Sequence, residues 1–263
     1  MQNERLNIEP IRAFDDNYIW LLTREGYAGC AVVDPGDDEP VIKALRKRGL
    51  ELEAILVTHK HGDHVGGIRD LKKRWPQAVV YGPANEKIKR LDRKLAADEV
   101  VELQGLDVSF EVLDVPGHTE GHIAYHGEGV LFCGDTLFSC GCGRVFSGTF
   151  EQLSDSLRSL AELPADTRVY CAHEYTQANI GFAKWVEPDN PDLLIREERV
   201  VEQRAADEPS VPSILGEEML TNPFMRTEVP SVVEAASAWA GEQLHTPREV
   251  FRALRTWKDR DYD

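Results

Sequence analysis

The stretch that most constrains the fold is "LVTHKHGDHVGG", residues 56–67. His59, His61, Asp63 and His64 crowd together directly after an apolar run and ahead of Gly66 and Gly67. An apolar run ending in ligand-type side chains reads as a buried strand that opens into a loop and then a helix. Layered folds of strands and helices carry their sites at that kind of edge. Gly62, Gly66 and Gly67 permit tight turning and close backbone approach. Four such side chains at this spacing cannot all close on one small ion as a tetrahedron, but they can serve two adjacent ions.

The segments around this cluster predict such a layered domain. "NYIWLLT" (17–23) and "CAVVDPG" (30–36) are β-branched or aromatic runs, the second stopped by Pro35-Gly36. Helical spacing covers 39–50, "LEAILVT" (52–58) reads as a buried strand, and 64–75 as a second helix. Short strands are expected around 78–82, 106–115, 123–127, 130–135 and 168–174, with a helix over 149–163. Alternating strands and helices point to an α/β layered domain. From about Thr176 the β-rich runs stop and helical periodicity broken by prolines takes over, which predicts domains at 1–175 and 176–263.

Three later positions match the first cluster. "VPGHTEGH" places His118 after an apolar run, "LFCGDTLF" places Asp135 at a strand end, and "VYCAHEYT" places His173 at another. All can converge on one rim of a sheet, which leaves His122, His126 and His245 as structural or surface residues. Five imidazoles and two carboxylates suit zinc, iron or manganese better than calcium or magnesium. Asp135 can bridge two ions with a position left open for water. A single zinc takes the pKa of bound water from ~15.7 to ~7, so the expected chemistry is hydrolytic.

Composition narrows the partners. The chain has 263 residues, 42% of them hydrophobic, and a formal charge of −16. That charge repels nucleic acid, and a small anionic substrate needs locally clustered Arg and Lys. No apolar run reaches the ~20 residues of a membrane span, and the first residues do not read as a signal peptide, so a cytoplasmic protein is expected. The five cysteines, Cys30, Cys133, Cys140, Cys142 and Cys171, do not form a secreted disulfide framework and are read as reduced thiols. Cys140 and Cys142 have no second pair at zinc-ribbon spacing.

"THKHGDH" with His118, Asp135 and His173 resembles the metallo-β-lactamase superfamily signature, and "VVDPG" (32–36) fits its early strand and turn. "GDTLFSCGCGRVFSGT" (134–149), "HEYT" (173–176), "NPFMR" (222–226) and "RALRTWKDR" (252–260) narrow the resemblance to glyoxalase II, the hydroxyacylglutathione hydrolases, over nearly the whole chain. The resemblance implies an α+β fold, a four-layered αβ/βα metallo-β-lactamase sandwich, with a C-terminal helical domain that completes the glutathione site. It implies two divalent ions, zinc as first choice with iron or manganese also suited. One is held by His59, His61 and His118, the other by Asp63, His64 and His173, with Asp135 between them. Arg144, Tyr175, Arg255 and Lys258 match substrate contacts, and Phe146 stands where some members have tyrosine.

The expected reaction is hydrolysis of an S-(2-hydroxyacyl)glutathione such as S-D-lactoylglutathione to glutathione and D-lactate, in methylglyoxal detoxification, by a hydroxide bridging the two ions. Asp63 is the expected catalytic residue, orienting that hydroxide. The leaving thiolate departs without strong acid help, since a free thiol has a pKa near ~8.5. Glutathione carries two carboxylates, and Arg144, Arg255 and Lys258 are the positive charge they require. A monomer acting on a small-molecule thioester, with no nucleic-acid or membrane partner, completes the expectation. The alternative is a glutathione persulfide dioxygenase with one iron on the same fold. A non-catalytic metal-binding protein is disfavoured because no ligand position is replaced.

Overall fold

The computed structural model describes residues 6–262. The chain divides into two compact units, one formed by Met1–Asp114 with Gly121–Gly134, the other by Val115–Glu120 with Asp135–Asp263.

In the first unit, β1 (Asn7–Ala13), β2 (Asn17–Thr23), β3 (Gly29–Val33), β4 (Glu51–Leu56), β5 (Val79–Pro83) and β6 (Arg93–Leu95) form a sheet in sequence order. β1 to β3 pair antiparallel, while β3 to β6 run parallel. Strand–helix alternation therefore describes only part of the sheet. Helix α1 (Asp38–Arg48) makes the crossover from β3 to β4; the short α2 (Gly62–Val65) and α3 (Ile68–Arg74) make the next. A run such as "NYIWLLT" is buried almost throughout because both faces of its sheet are covered. Ile19 and Leu21 of that strand pack with Val32, Ile55 and Val80 against Val41 and Leu45 of α1 and Ile68 and Leu71 of α3. Four further strands, β7 (Val100–Leu103), β8 (Val108–Asp114), β9 (Ile123–Gly127) and β10 (Val130–Gly134), pair antiparallel in order.

Local chemistry sets the helix ends. Asp37 caps α1 by accepting from the Glu39 amide at 3.0 Å, acidic residues fill its first turn and basic ones its last, as the helix dipole favours. Gly49 closes it in the left-handed conformation at φ 66°. The helix expected over 64–75 is instead broken between α2 and α3. At the break Gly66 and Gly67 pack against the backbone oxygens of Gly36 and Pro35, leaving no space for a Cβ. β1 carries no strong sequence signal and gains its place by pairing with β2 along its whole length.

The second unit holds the hairpin of β11 (Leu137–Phe138) and β12 (Gly141–Cys142), helix α4 (Phe150–Leu160), and β13 (Arg168–Cys171). Then come α5 (Thr176–Val186), α6 (Pro191–Ala205), the short β14 (Ser213–Ile214), α7 (Leu215–Thr221), α8 (Pro230–Ala240) and α9 (Pro247–Trp257). The helical texture expected after residue 176 is present, interrupted by β14, which pairs antiparallel with β13. Capping boxes Thr149/Gln152 and Thr246/Glu249 start α4 and α9. Arg248 and Arg252 of α9 pair with Asp155 and Glu151 of α4. An aromatic cluster of Phe182, Phe224, Phe251 and Trp257 joins α5 and α9 to the turn after α7. Among the described residues, no helix is long and apolar enough to cross a membrane.

Candidate metal centre

The first unit contributes four ligand-type side chains in one loop. β4 ends at Leu56, and Val57, Thr58 and a buried His59 follow. His61 is the N-cap residue of α2, and Asp63 and a buried His64 lie in that helix's single turn. Two residues that the sequence reading did not single out organise the loop. Asp34, at the end of β3, accepts from the Thr58 amide at 2.8 Å and from the Thr58 hydroxyl at 2.7 Å. The Thr58 oxygen lies 3.1 Å from His59 Nδ1, and Asp34 Oδ2 lies 3.1 Å from His64 Nδ1. With its proton committed to Asp34, the Thr58 oxygen accepts from His59 Nδ1–H, and the Asp34 carboxylate likewise favours a proton on His64 Nδ1. Both neighbours favour the tautomer that offers Nε2 as a ligand.

The offered atoms lie close together. His59 Nε2 is 3.0 Å from His61 Nδ1, and His64 Nε2 is 3.4 Å from Asp63 Oδ2. The Asn17 side-chain amide donates to Asp63 Oδ2 at 3.0 Å and fixes that carboxylate. His122, read as structural, is buried and stacks on the His59 ring at a centroid distance of 4.5 Å. Asp34 lies within the "VVDPG" segment of the family resemblance, though no role is given to it there, and the signal for Asn17 is a polar residue at the start of a β-rich run, which is weak because strand ends are commonly polar.

Gly36 serves the loop by being small. A Cβ there would stand 1.8 Å from the Asp63 carbonyl oxygen. Gly36→Ala must displace one of the two backbones, and overpacking of this kind costs about 1–3 kcal/mol or more. The expected result in a thermal melt is a Tm lowered by several degrees, at roughly 2–4 °C per kcal/mol. An unchanged Tm would mean that the turn after β3 yields freely.

The second unit holds three further ligand-type side chains. His118 follows β8, Asp135 follows β10 and His173 follows β13, each at the expected strand-to-loop edge, and all three are buried. Asp135 stands between the histidines: Oδ2 is 3.4 Å from His118 Nε2 and Oδ1 is 3.4 Å from His173 Nε2. His118 Nδ1 donates to the Arg144 carbonyl at 2.8 Å, so this ring also offers Nε2. Tyr175 stacks on His173 with ring planes 6° apart and centroids at 4.7 Å, and Phe138 packs edge-on to both. Phe146 packs edge-on to His118 at 5.2 Å.

The residues matched to substrate contacts all lie in this unit. The Arg144 side chain is half exposed, and Tyr175 is partly exposed. Arg255 and Lys258 are buried. Arg255 donates to the Cys142 carbonyl at 3.0 Å and to Asp259 at 2.8 Å, and Arg144 Nε lies 3.5 Å from the same Asp259 oxygen. The two arginines are thus brought together, on a carboxylate that the sequence reading passed over. Lys258 lies over the Tyr262 ring.

No thiol is set up as a nucleophile. All five cysteines are buried thiols. Burial pushes Cys30, Cys140 and Cys171 up to about 12 and Cys142 to about 11. The nucleophile of a thiol enzyme needs the opposite shift.

A family model for the metallo-β-lactamase superfamily matches residues 13–173, and one described as hydroxyacylglutathione hydrolase C-terminus matches residues 174–261. A hydroxyacylglutathione hydrolase of Nitrosomonas europaea is 49% identical, over 97% of this chain and 96% of its own. One of Pseudomonas fluorescens is 52% identical, over 97% and 99%. Among solved structures, ETHE1 from Myxococcus xanthus superposes with a TM-score of 0.66 at 24% identity, covering 95% of this chain and 89% of its own. The fold is therefore the α+β metallo-β-lactamase sandwich with a C-terminal helical domain, and the His/Asp clusters fit the binding of divalent metal. With half its residues identical to those of full-length relatives, the chain belongs to the hydroxyacylglutathione hydrolases of the metallo-β-lactamase superfamily.

Proposed function

We propose that this chain hydrolyses the thioester of S-(2-hydroxyacyl)glutathione, with S-D-lactoylglutathione as the reference substrate, to glutathione and a 2-hydroxy acid, in methylglyoxal detoxification. The observation that carries the reading is Asp135, whose two oxygens each stand beside one histidine, His118 and His173. The near-full-length likeness to hydroxyacylglutathione hydrolases supports the substrate class.

The donor set fits two divalent ions. By the family likeness, His59, His61 and His118 would hold one and Asp63, His64 and His173 the other, with Asp135 serving both. The Nε2 lone pairs favoured on His59, His64 and His118 are what such an ion requires. Imidazole and carboxylate together favour zinc, with iron and manganese also accepted. When bound, the ions supply a water of lowered pKa and an electrophile for the thioester carbonyl.

The chain's own residues do the rest. Asp63, held by the Asn17 amide, orients the attacking water. Arg144, Arg255 and Lys258 attract the carboxylates of glutathione, and Tyr175, stacked on His173, forms a wall of the site. The thiol leaving group has an ordinary pKa of about 8.5, so no acid is needed to expel it. The catalytic domain is assigned to 1–175 and the substrate-binding helices to 176–263, close to the junction of the two family matches. A cytoplasmic monomer completes the proposal, supported by the buried thiols, which suit a reducing compartment.

Incubation of the metal-loaded protein with S-D-lactoylglutathione under argon tests the reading. Stoichiometric release of free thiol without oxygen is expected. Inert thioester together with oxygen uptake on glutathione persulfide and one iron per chain would overturn it in favour of a dioxygenase.

A further inference from the structure

We infer that Asp259 occupies the substrate's place on Arg144: its carboxylate, anchored on Arg255, holds Arg144 until an anionic group of the substrate takes that place. The inference rests on reading those two arginines as glutathione contacts. After Trp257 the chain of α9 continues into a wider helical turn, Lys258–Tyr262, which carries Asp259. One of its oxygens, Oδ1, accepts from Arg255 at 2.8 Å and lies 3.5 Å from Arg144 Nε. Two guanidinium groups on a single carboxylate oxygen is the arrangement an incoming carboxylate would meet.

The two arginines differ in freedom. Arg255 is 1% exposed and is tied a second time, to the Cys142 carbonyl at 3.0 Å, while its guanidinium lies over the Phe224 ring at 5.3 Å. It is a fixed point. The Arg144 side chain is 52% exposed and that of Asp259 is 32% exposed, so the contact between them faces water. An exposed ion pair is worth little, and a ligand anion can break it. The pair that stays is Arg255–Asp259, one helical turn apart on the same segment. Asp259 would therefore swing away from Arg144 rather than leave the site. The consequence is selectivity: a neutral thioester cannot replace the charge that Arg144 loses, whereas a glutathione carboxylate can. The same competition weakens the hold on the product glutathione and favours its release.

Calorimetric titration of glutathione into the metal-loaded protein tests this. Asp259→Asn and Asp259→Ser are each expected to tighten glutathione binding by roughly 5-fold, the scale of one modest ion pair. KM for S-D-lactoylglutathione should fall more than kcat, and product inhibition should strengthen. Glu162→Gln, which removes an exposed charge in the turn after α4, should leave glutathione affinity where it is, separating local competition from net charge. Equal or weaker glutathione binding by both Asp259 variants, with normal binding by the wild type, overturns the competition alone. A wild type that binds no glutathione overturns the reading of Arg144 and Arg255, and the competition with it.

Discussion

Asp135→Ala is expected to lose bound divalent metal and to lower kcat on S-D-lactoylglutathione by at least ~10³-fold, since a metal at such a site contributes several kcal/mol to the reaction. Two cations held side by side repel each other, and an anion between them is the simplest compensation. On the proposed reading Asp135 would take that role: it is buried, and each of its oxygens is 3.4 Å from a different histidine nitrogen. Asp135→Asn separates charge from shape. It fills the same space but turns one oxygen into an N–H donor, which repels a cation, so it should fail nearly as completely as alanine. Metal analysis beside the thioester assay reads both effects. A variant that retains two ions and full turnover would contradict the role given to Asp135.

The second large effect is structural. Glu218→Ala is expected to destabilise the protein by about 3–5 kcal/mol, because it leaves the Arg196 charge buried without its partner. Arg196 is 1% exposed and Glu218 0%. Arg196 donates to Glu218, to Thr221 at 2.5 Å and to Ser139 at 2.8 Å. Burial is the largest single influence and works against its charge, yet the Glu218 and Glu217 carboxylates, with Cys140, together raise the guanidinium pKa above its ordinary value. Glu218 also accepts from the Cys140 amide at 2.8 Å and the Asn222 amide at 3.1 Å, and Asn222 donates to the Gly141 carbonyl at 2.9 Å. The pair thus clamps the β11–β12 hairpin, the short segment that separates Asp135 from Arg144. Calorimetry should show a Tm lower by roughly 6–20 °C, at 2–4 °C per kcal/mol. The double variant Arg196→Met with Glu218→Leu should recover much of the loss, because it removes both charges together. A single variant that melts like the wild type would show that the pair is solvated.

The proposed ligands were legible in the sequence because chemistry is concentrated there. Each of the seven side chains stands just past a β-rich run, and strand ends are where a layered fold brings distant segments together. The clamp and the orienting groups were not legible. Asp34 acts on Thr58 and His64, Glu218 on Cys140, and Asp259 on Arg144, partners separated by many residues, so no local period connects them. "NPFMR" carried the family resemblance, but the use of Asn222 as a clamp on backbone carbonyls appears only in three dimensions. The break between α2 and α3 was missed for a related reason. Helical spacing continues across Gly66 and Gly67, and the chain is stopped there by the backbone of residues 35 and 36 packed against it.

On the proposed function, seven side chains hold a pair of ions that the hydrolysis needs. Zinc titrated into metal-stripped wild-type protein, with bound metal and S-D-lactoylglutathione hydrolysis followed on the same samples, tests it most directly. Two ions per chain, with turnover rising as the second one binds, is the expected result. Full turnover at one ion per chain, or hydrolysis by the metal-stripped protein, would contradict it.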